Sequence, residues 1–233
     1  MNKYNKKELD IKVKDLPFQD FLTSRYSMTA RVNAQKTYEY SKKNNYSFFN
    51  ITLACILQAI NDIPEFKRRI IEDKVYEYDK ISAITPIIQE NNSIREIEIL
   101  PPSEFKTLKE FNEQIEMKKE NIMANEFVCE PILRDSLPIS NLSCIPWINF
   151  DSMTNIIASS NQIMPVITWG KLVDEKIPVS LTASHVFIFG YHYKLFYDNV
   201  EKYLENPELV AKQNKWLITK YTEIFKKRIK LLF

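Results

Sequence analysis

Two glycines in 233 residues are the first oddity of this chain, since ordinary usage of about 7% would give roughly 16. Gly170 and Gly190 stand twenty positions apart, so neither a G-x-G-x-x-G dinucleotide turn nor a P-loop can be built from them. Histidine is as scarce, with His185 and His192 alone, and the three cysteines, Cys55, Cys129 and Cys144, are scattered. No Cys/His zinc spacing and no H-E-x-x-H occurs, which argues against a structural or hydrolytic metal. Three cysteines cannot all pair within one chain and carry no framework spacing, as in a reducing compartment where they act as small buried hydrophobes. The amino terminus, MNKYNKKELDIK, has no apolar signal core, and no apolar run reaches the roughly 18 residues of a membrane span. A soluble, cytoplasmic protein is the expectation. Lys+Arg 32 against Asp+Glu 30 leaves +2, too balanced to announce nucleic acid or a membrane surface as partner.

What is present suits a folded body: 45% hydrophobic residues with 12% aromatics can fill a sizeable core in one domain. Tyr26, Met28, Ala30 and Val32 alternate with Ser27, Thr29, Arg31 and Asn33, the period of a half-buried strand. From Phe48 to Ile60 the apolar spacing changes to three and four, which predicts a helix with Pro64 just beyond it. Strand-like runs follow at 74–78, 81–88 and 94–100, then a second helix carrying Phe105, Leu108, Phe111, Ile115 and Ile122. Further strands are expected around 141–150, 165–172 and 178–187, then a helix from about Gly190 to Leu204. Asn206-Pro207 breaks the pattern, and 207–233 reads as an amphipathic helical extension. Long strands among few helices indicate an α+β fold with a mixed or antiparallel sheet.

Imidazole chemistry must lie within the window of His185 and His192. In SLTASHVFIFGYH, Val179, Leu181, Ala183 and His185 share one strand face, so by itself His185 reads as a core histidine or as a base placed at a strand end. The same window matches the pattern H-H-x-x-x-D-G-F-H of the type A chloramphenicol acetyltransferases at His185, Gly190 and His192. SCIPWINFDSM (Ser143 to Met153) resembles that family's S-x-x-P-W-x-x-F segment, PVITWGK (Pro165 to Lys171) its P-x-x-T-x-G/A-K strand, and KKNNYSFFNITLACILQAINDIPEF (Lys42 to Phe66) its helix ending N-x-x-P-E-F. The four stretches keep the family's order, and the resemblance covers residues 15–206, leaving 207–233 as an extension outside the acetyltransferase-like domain.

The resemblance implies an α+β, mixed-sheet acyltransferase fold assembled as a homotrimer, with each active site between subunits. It also implies acetyl-CoA as co-substrate, no metal, and a small-molecule hydroxyl acceptor such as chloramphenicol. On matching positions, His185 would be the general base, Ser143 the donor to the tetrahedral oxyanion, and Thr168 a helper through an ordered water. Trp147 and Lys171 would lie near coenzyme A, and Phe21 would line the acceptor pocket. Each also has a plain structural reading: a turn hydroxyl for Ser143, a β-branched strand residue for Thr168, core aromatics for Trp147 and Phe21, and an exposed strand-end charge for Lys171.

Departures from the pattern cluster around the base. Ser184 replaces the first histidine and Phe189 the aspartate. The family's arginine partner falls near Lys14, and its H-F pair has become Pro17-Phe18. Losing both halves of a buried ion pair avoids an uncompensated charge. Two readings follow: an acetyl-CoA-dependent O-acetyltransferase, or a family member whose chemistry has weakened while assembly and ligand binding persist. Both glycines fall inside family motifs, where backbone freedom or close approach is expected.

Overall fold

Thirteen regular elements can be traced in a computed structural model that describes residues 4–18, 21–88, 94–121, 136–156, 159 and 162–210. They are β1 (Lys6–Lys12), β2 (Arg25–Asn33), α1 (Gln35–Asn44), α2 (Phe48–Asn61), β3 (Arg68–Ile71), β4 (Lys74–Tyr78), β5 (Ser82–Ile88), β6 (Ile94–Ile99), α3 (Leu108–Glu120), β7 (Ile139–Ile145), β8 (Val166–Gly170), β9 (Lys176–Ser184) and α4 (Gly190–Glu205). Six strands form one sheet in the order β2-β9-β8-β7-β5-β6, and β1-β4-β3 form a smaller one. β5, β7 and β8 run parallel while the other pairs are antiparallel, so the main sheet is mixed, as expected.

The helical spacing of Leu53, Ile56, Leu57 and Ile60 has its consequence here: α2 is buried almost throughout. Ser47 caps it by accepting from the Asn50 amide at 3.4 Å. Each of those side chains contributes about 1.5–3 kcal/mol by leaving water. With α4 they cover the sheet face that carries Leu142, Ile167, Val179, Leu181 and Ala183. Alternation then puts Ser143, Thr168, Ser180 and Thr182 on the opposite face.

That polar face is closed by described parts of the connection between β7 and β8. Ser180 Oγ donates to the Met153 carbonyl at 3.1 Å. Arg25 Nη1 donates to the carbonyls of Gln162 and Met164, and Arg31 reaches Asn149 and Asp151. Across the smaller sheet, the fully buried Arg69 donates to the carbonyls of Leu137, Phe66, Arg68 and Ile139, tying β3 to β7.

Several elements differ from the sequence reading. The strand expected at 141–150 ends at Ile145, because Pro146 has no amide to continue the ladder. The strand expected at 178–187 runs instead over Lys176–Ser184, where the Ser184 carbonyl accepts from the amides of Phe187 and Ile188 and turns the chain. β1, α1 and β3 carry no clear apolar period. α1 buries Thr37 and Ser41 rather than aliphatic residues, with Thr37 Oγ1 donating to the Leu204 carbonyl at 2.5 Å. Of the expected helix at 207–233, Pro207–Leu209 forms a short 3-10 turn and residues 211–233 lie outside the described residues.

Among the described residues, positive φ falls on Phe18, Asn45, Glu72, Asp73, Asp174 and Glu175 and on neither glycine. Two of these pairs, 72–73 and 174–175, close two-residue turns, the geometry that needs φ > 0 at both positions. Gly170 serves close approach: a Cβ there would lie 2.5 Å from the Ile148 carbonyl oxygen, 2.8 Å from Pro178 and 2.9 Å from Phe150. Gly190 opens α4 with nothing within 4 Å of such a Cβ. The expectation of a backbone need at both glycines therefore holds for Gly170 and fails for Gly190.

Candidate active site

His185 is the first residue beyond β9, and its amide donates to the Ser24 carbonyl at 2.7 Å, prolonging the β2–β9 ladder by one rung. Its neighbour Ser184 is buried and bonded hydroxyl to hydroxyl with Ser24 at 2.8 Å. Aromatic rings wall the half-buried imidazole. Phe18 stacks on it at 4.2 Å and 14°, Tyr26 lies at 4.7 Å, and Phe189 meets it edge-on at 5.1 Å. Nδ1 is buried without a hydrogen-bond partner among the described residues. Phe18 holds its place with φ 62°, a conformation that costs a bulky side chain of order 1–3 kcal/mol and that clusters at functional sites.

Phe21 stands off from the base. It is 61% exposed and packs edge-on against Phe18 at 5.1 Å, so it reaches the imidazole through Phe18. Lys14 is exposed, and an exposed lysine leaves no buried charge behind where Phe189 replaces the motif carboxylate.

Ser143 and Thr168 are register partners on the parallel strands β7 and β8, and Thr168 faces Ser180 on β9. Thr168 is buried and donates to Asn155 Oδ1 at 2.6 Å, while Asn155 Nδ2 donates to Thr182 Oγ1 at 2.8 Å, which in turn shares a proton with Ser27 at 2.6 Å. The Thr168 hydroxyl proton is thus committed, and its oxygen can accept from a further donor. The Ser143 hydroxyl, half-buried, enters none of the hydrogen bonds among the described residues and is free to donate. Asn155 was not legible as a site residue in the sequence; only the fold lays it over two strands at once.

The base and the hydroxyls do not meet within one chain. Thr168 pairs with Ser180 on β9, and His185 lies five residues further along the chain, one past the end of that strand, roughly 16 Å away at about 3.3 Å per residue. Ser143 is one strand more distant.

Trp147 and Lys171 line one cavity of about 440 Å³ together with Phe48, Cys144, Trp169 and Lys119. Trp147 is 67% exposed, and the Lys171 amide donates to the Ile148 carbonyl at 2.8 Å, holding the two ends of this wall together. Burial pushes the Cys144 thiol up to about 12. A larger open hollow of about 830 Å³ beside β1 and residues 73–75 contains none of the candidate residues. No group of His, Cys, Asp and Glu suited to a metal occurs among the described residues, nor does any helix there long and apolar enough to cross a membrane.

Comparison with known proteins brings these features together. The chain is 25% identical over 224 residues to a chloramphenicol acetyltransferase of Staphylococcus aureus, covering 92% of this chain and 99% of that protein. It is 23% identical over 190 residues to chloramphenicol acetyltransferase 2 of Escherichia coli, covering 78% and 86%. A solved chloramphenicol acetyltransferase superposes with a TM-score of 0.70 at 26% identity over 85% of this chain and 100% of that one. The fold extends to a dihydrolipoamide acetyltransferase of Azotobacter vinelandii, with a TM-score of 0.62 at 10% identity over 81% and 84%. The sequence profile described as chloramphenicol acetyltransferase matches residues 1–201, which include every candidate site residue, and on that match the chain belongs to the chloramphenicol acetyltransferase family.

Proposed function

We propose that this protein is an acetyl-CoA-dependent O-acetyltransferase acting on a hydroxyl of a small amphipathic acceptor, with chloramphenicol as the first candidate. The observation that carries the reading is the pairing of Ser143 with Thr168 in register, one hydroxyl free to donate and the other committed to Asn155. His185 takes the proton of the acceptor hydroxyl, whose oxygen attacks the thioester carbonyl of acetyl-CoA. Ser143 donates to the oxyanion, a contact typically worth about 2.7–4 kcal/mol in the transition state. Collapse expels the coenzyme A thiolate, the imidazolium returns the proton to sulfur, and an acetyl ester leaves. Because His185 lies far from Ser143 within one chain, this chemistry requires the base of one copy to face the hydroxyls of another. That requirement favours the homotrimer implied by the family. Trp147 and Lys171 act toward coenzyme A from the cavity they line, and Phe21 acts on the acceptor by way of Phe18.

One observation favours a second reading. Phe18 covers a face of the imidazole and Phe189 stands where the motif carboxylate would be, which suits a member that keeps assembly and ligand binding but turns over weakly or not at all. The two separate on one assay: acetyl-CoA and chloramphenicol are mixed with the protein and thiol release is followed, beside His185→Ala. The enzyme reading expects turnover that falls about 10²- to 10⁴-fold in the variant. Thiol release that survives loss of His185 refutes the mechanism, and coenzyme A binding without turnover supports the second reading.

A further inference from the structure

The second histidine has no part in the chemistry above, yet it is buried and doubly engaged. His192 sits in the first turn of α4, 8% exposed. Its Nδ1 accepts the amide proton of Phe189 at 2.9 Å, so the ring carries its own proton on Nε2. That side points at Glu65 Oε2, 3.8 Å away. Glu65 is bonded in turn to Arg68 at 3.0 Å, and Arg68 to Glu77 at 3.0 Å. A side chain at the third helical position that accepts from the residue before the helix is the returning half of a capping box. Here the capped residue is Phe189, whose ring contacts both His185 and His192.

We propose that His192 is a positioning residue that locks the turn 185–190 behind the catalytic base, and that protonation of its Nδ1 unlocks that turn. An imidazolium has a proton on each nitrogen and cannot accept from the Phe189 amide. Once that bond is lost, Phe189 stays tied to α4 only through its carbonyl, which accepts from the amides of His192 at 2.8 Å and Tyr193 at 3.2 Å. The edge-on ring beside His185 thereby loses one of its tethers. The charged groups facing His192 from outside its helix are Glu65, on the 3-10 turn after α2, and Arg68 on β3. Burial holds the imidazole toward the neutral form, Glu65 opposes this and Arg68 reinforces it. The lock is therefore closed at neutral pH and opens on acidification. Its effect on catalysis rests on the acetyl-transfer reading, whereas the lock itself does not.

The test follows the Phe189 amide by hydrogen exchange, expressed as a protection factor between pH 5 and 8, with the 15N resonances of His192 recorded in parallel. The wild type should show an unprotonated Nδ1 and a protected Phe189 amide at pH 7.5, both lost together on acidification. His192→Asn keeps an oxygen acceptor near the Nδ1 position without a titrating ring, so protection should persist to pH 5. Glu65→Gln removes the carboxylate that favours the imidazolium and should move the loss to lower pH. Protection that is independent of pH in the wild type, or a His192→Asn profile identical to the wild type, overturns the proposal. Because the neutral form of His185 is itself required for transfer, the lock is read in the acetyl-transfer assay as the difference between the wild-type and His192→Asn kcat profiles, which should share the midpoint of the protection factor. An absence of transfer overturns the acetyl-transfer reading, and the exchange data still decide the lock.

Discussion

Adding a single methyl group at each glycine should move stability in opposite directions. At Gly170 the new Cβ would lie 2.5 Å from the Ile148 carbonyl oxygen, 2.8 Å from Pro178 Cγ and 2.9 Å from Phe150 Cε1. Two of the obstacles are a backbone atom and a proline ring, which cannot rotate aside. The same carbonyl accepts the Lys171 amide at 2.8 Å, so relief requires moving residues 148 and 171 apart. Overpacking of this kind costs about 1–3 kcal/mol. Reduced unfolded-state entropy offsets only about 0.4–1 kcal/mol of it. At Gly190 nothing stands within 4 Å and φ is not positive, so Gly190→Ala should gain about 0.4–1 kcal/mol. For a chain of this size 1 kcal/mol corresponds to roughly 2–4 °C in Tm. Thermal unfolding followed by far-UV circular dichroism at fixed protomer concentration should put Gly170→Ala several degrees below the wild type and Gly190→Ala slightly above it. Acetyl-CoA binding should weaken in Gly170→Ala alone, because Trp147 and Lys171 flank the displaced strand ends. A Gly170→Ala protein as stable as the wild type would refute the close-approach argument, and a destabilised Gly190→Ala would refute the claim of open space.

Ser143→Ala should lower kcat for acetyl transfer by about 10²- to 10³-fold with little change in KM for acetyl-CoA; an unaltered kcat removes Ser143 from the oxyanion. Arg69→Met strips the donors from the four carbonyls it serves and should cost about 3 kcal/mol or more in urea unfolding, whereas a cost below 1 kcal/mol would show those carbonyls to be satisfied otherwise. Cys144, raised to about 12 by burial, and Cys55, raised further by the same cause, should react slowly with iodoacetamide at pH 7.5 in a Cys129→Ser background. Fast labelling without denaturant contradicts that burial. His192, lowered by desolvation in the fold, binds fewer protons in the native state than in the unfolded one. Stability should therefore fall as pH drops below about 6.5, the unfolded value. His192→Asn should flatten that part of the profile, and an unchanged profile speaks against a depressed His192.

The strands and helices with a clear apolar period were legible in the chain because burial of one face is written at every second or every third and fourth position. Val179, Leu181 and Ala183 on β9, and Leu53, Ile56 and Ile60 on α2, are core residues for that reason. Where burial falls on polar groups the period vanishes, as in α1, whose Thr37 finds its partner 167 residues away at Leu204. The motif residues fared similarly. Composition left no glycine-loop phosphate motif and no Cys/His zinc spacing in the chain, and the order of the four motifs named the family. Four other features came from tertiary structure: the pairing of Ser143 with Thr168, the hold of Asn155 over both strands, the aromatic walls on His185, and the distance that separates base from hydroxyls. They depend on strand register and on loops crossing a sheet, which bring together residues that local sequence cannot relate. The two glycines divide along the same line: their scarcity was evident from the chain, but only packing decided that Gly170 is required by a carbonyl and a proline beside it, and that Gly190 is not.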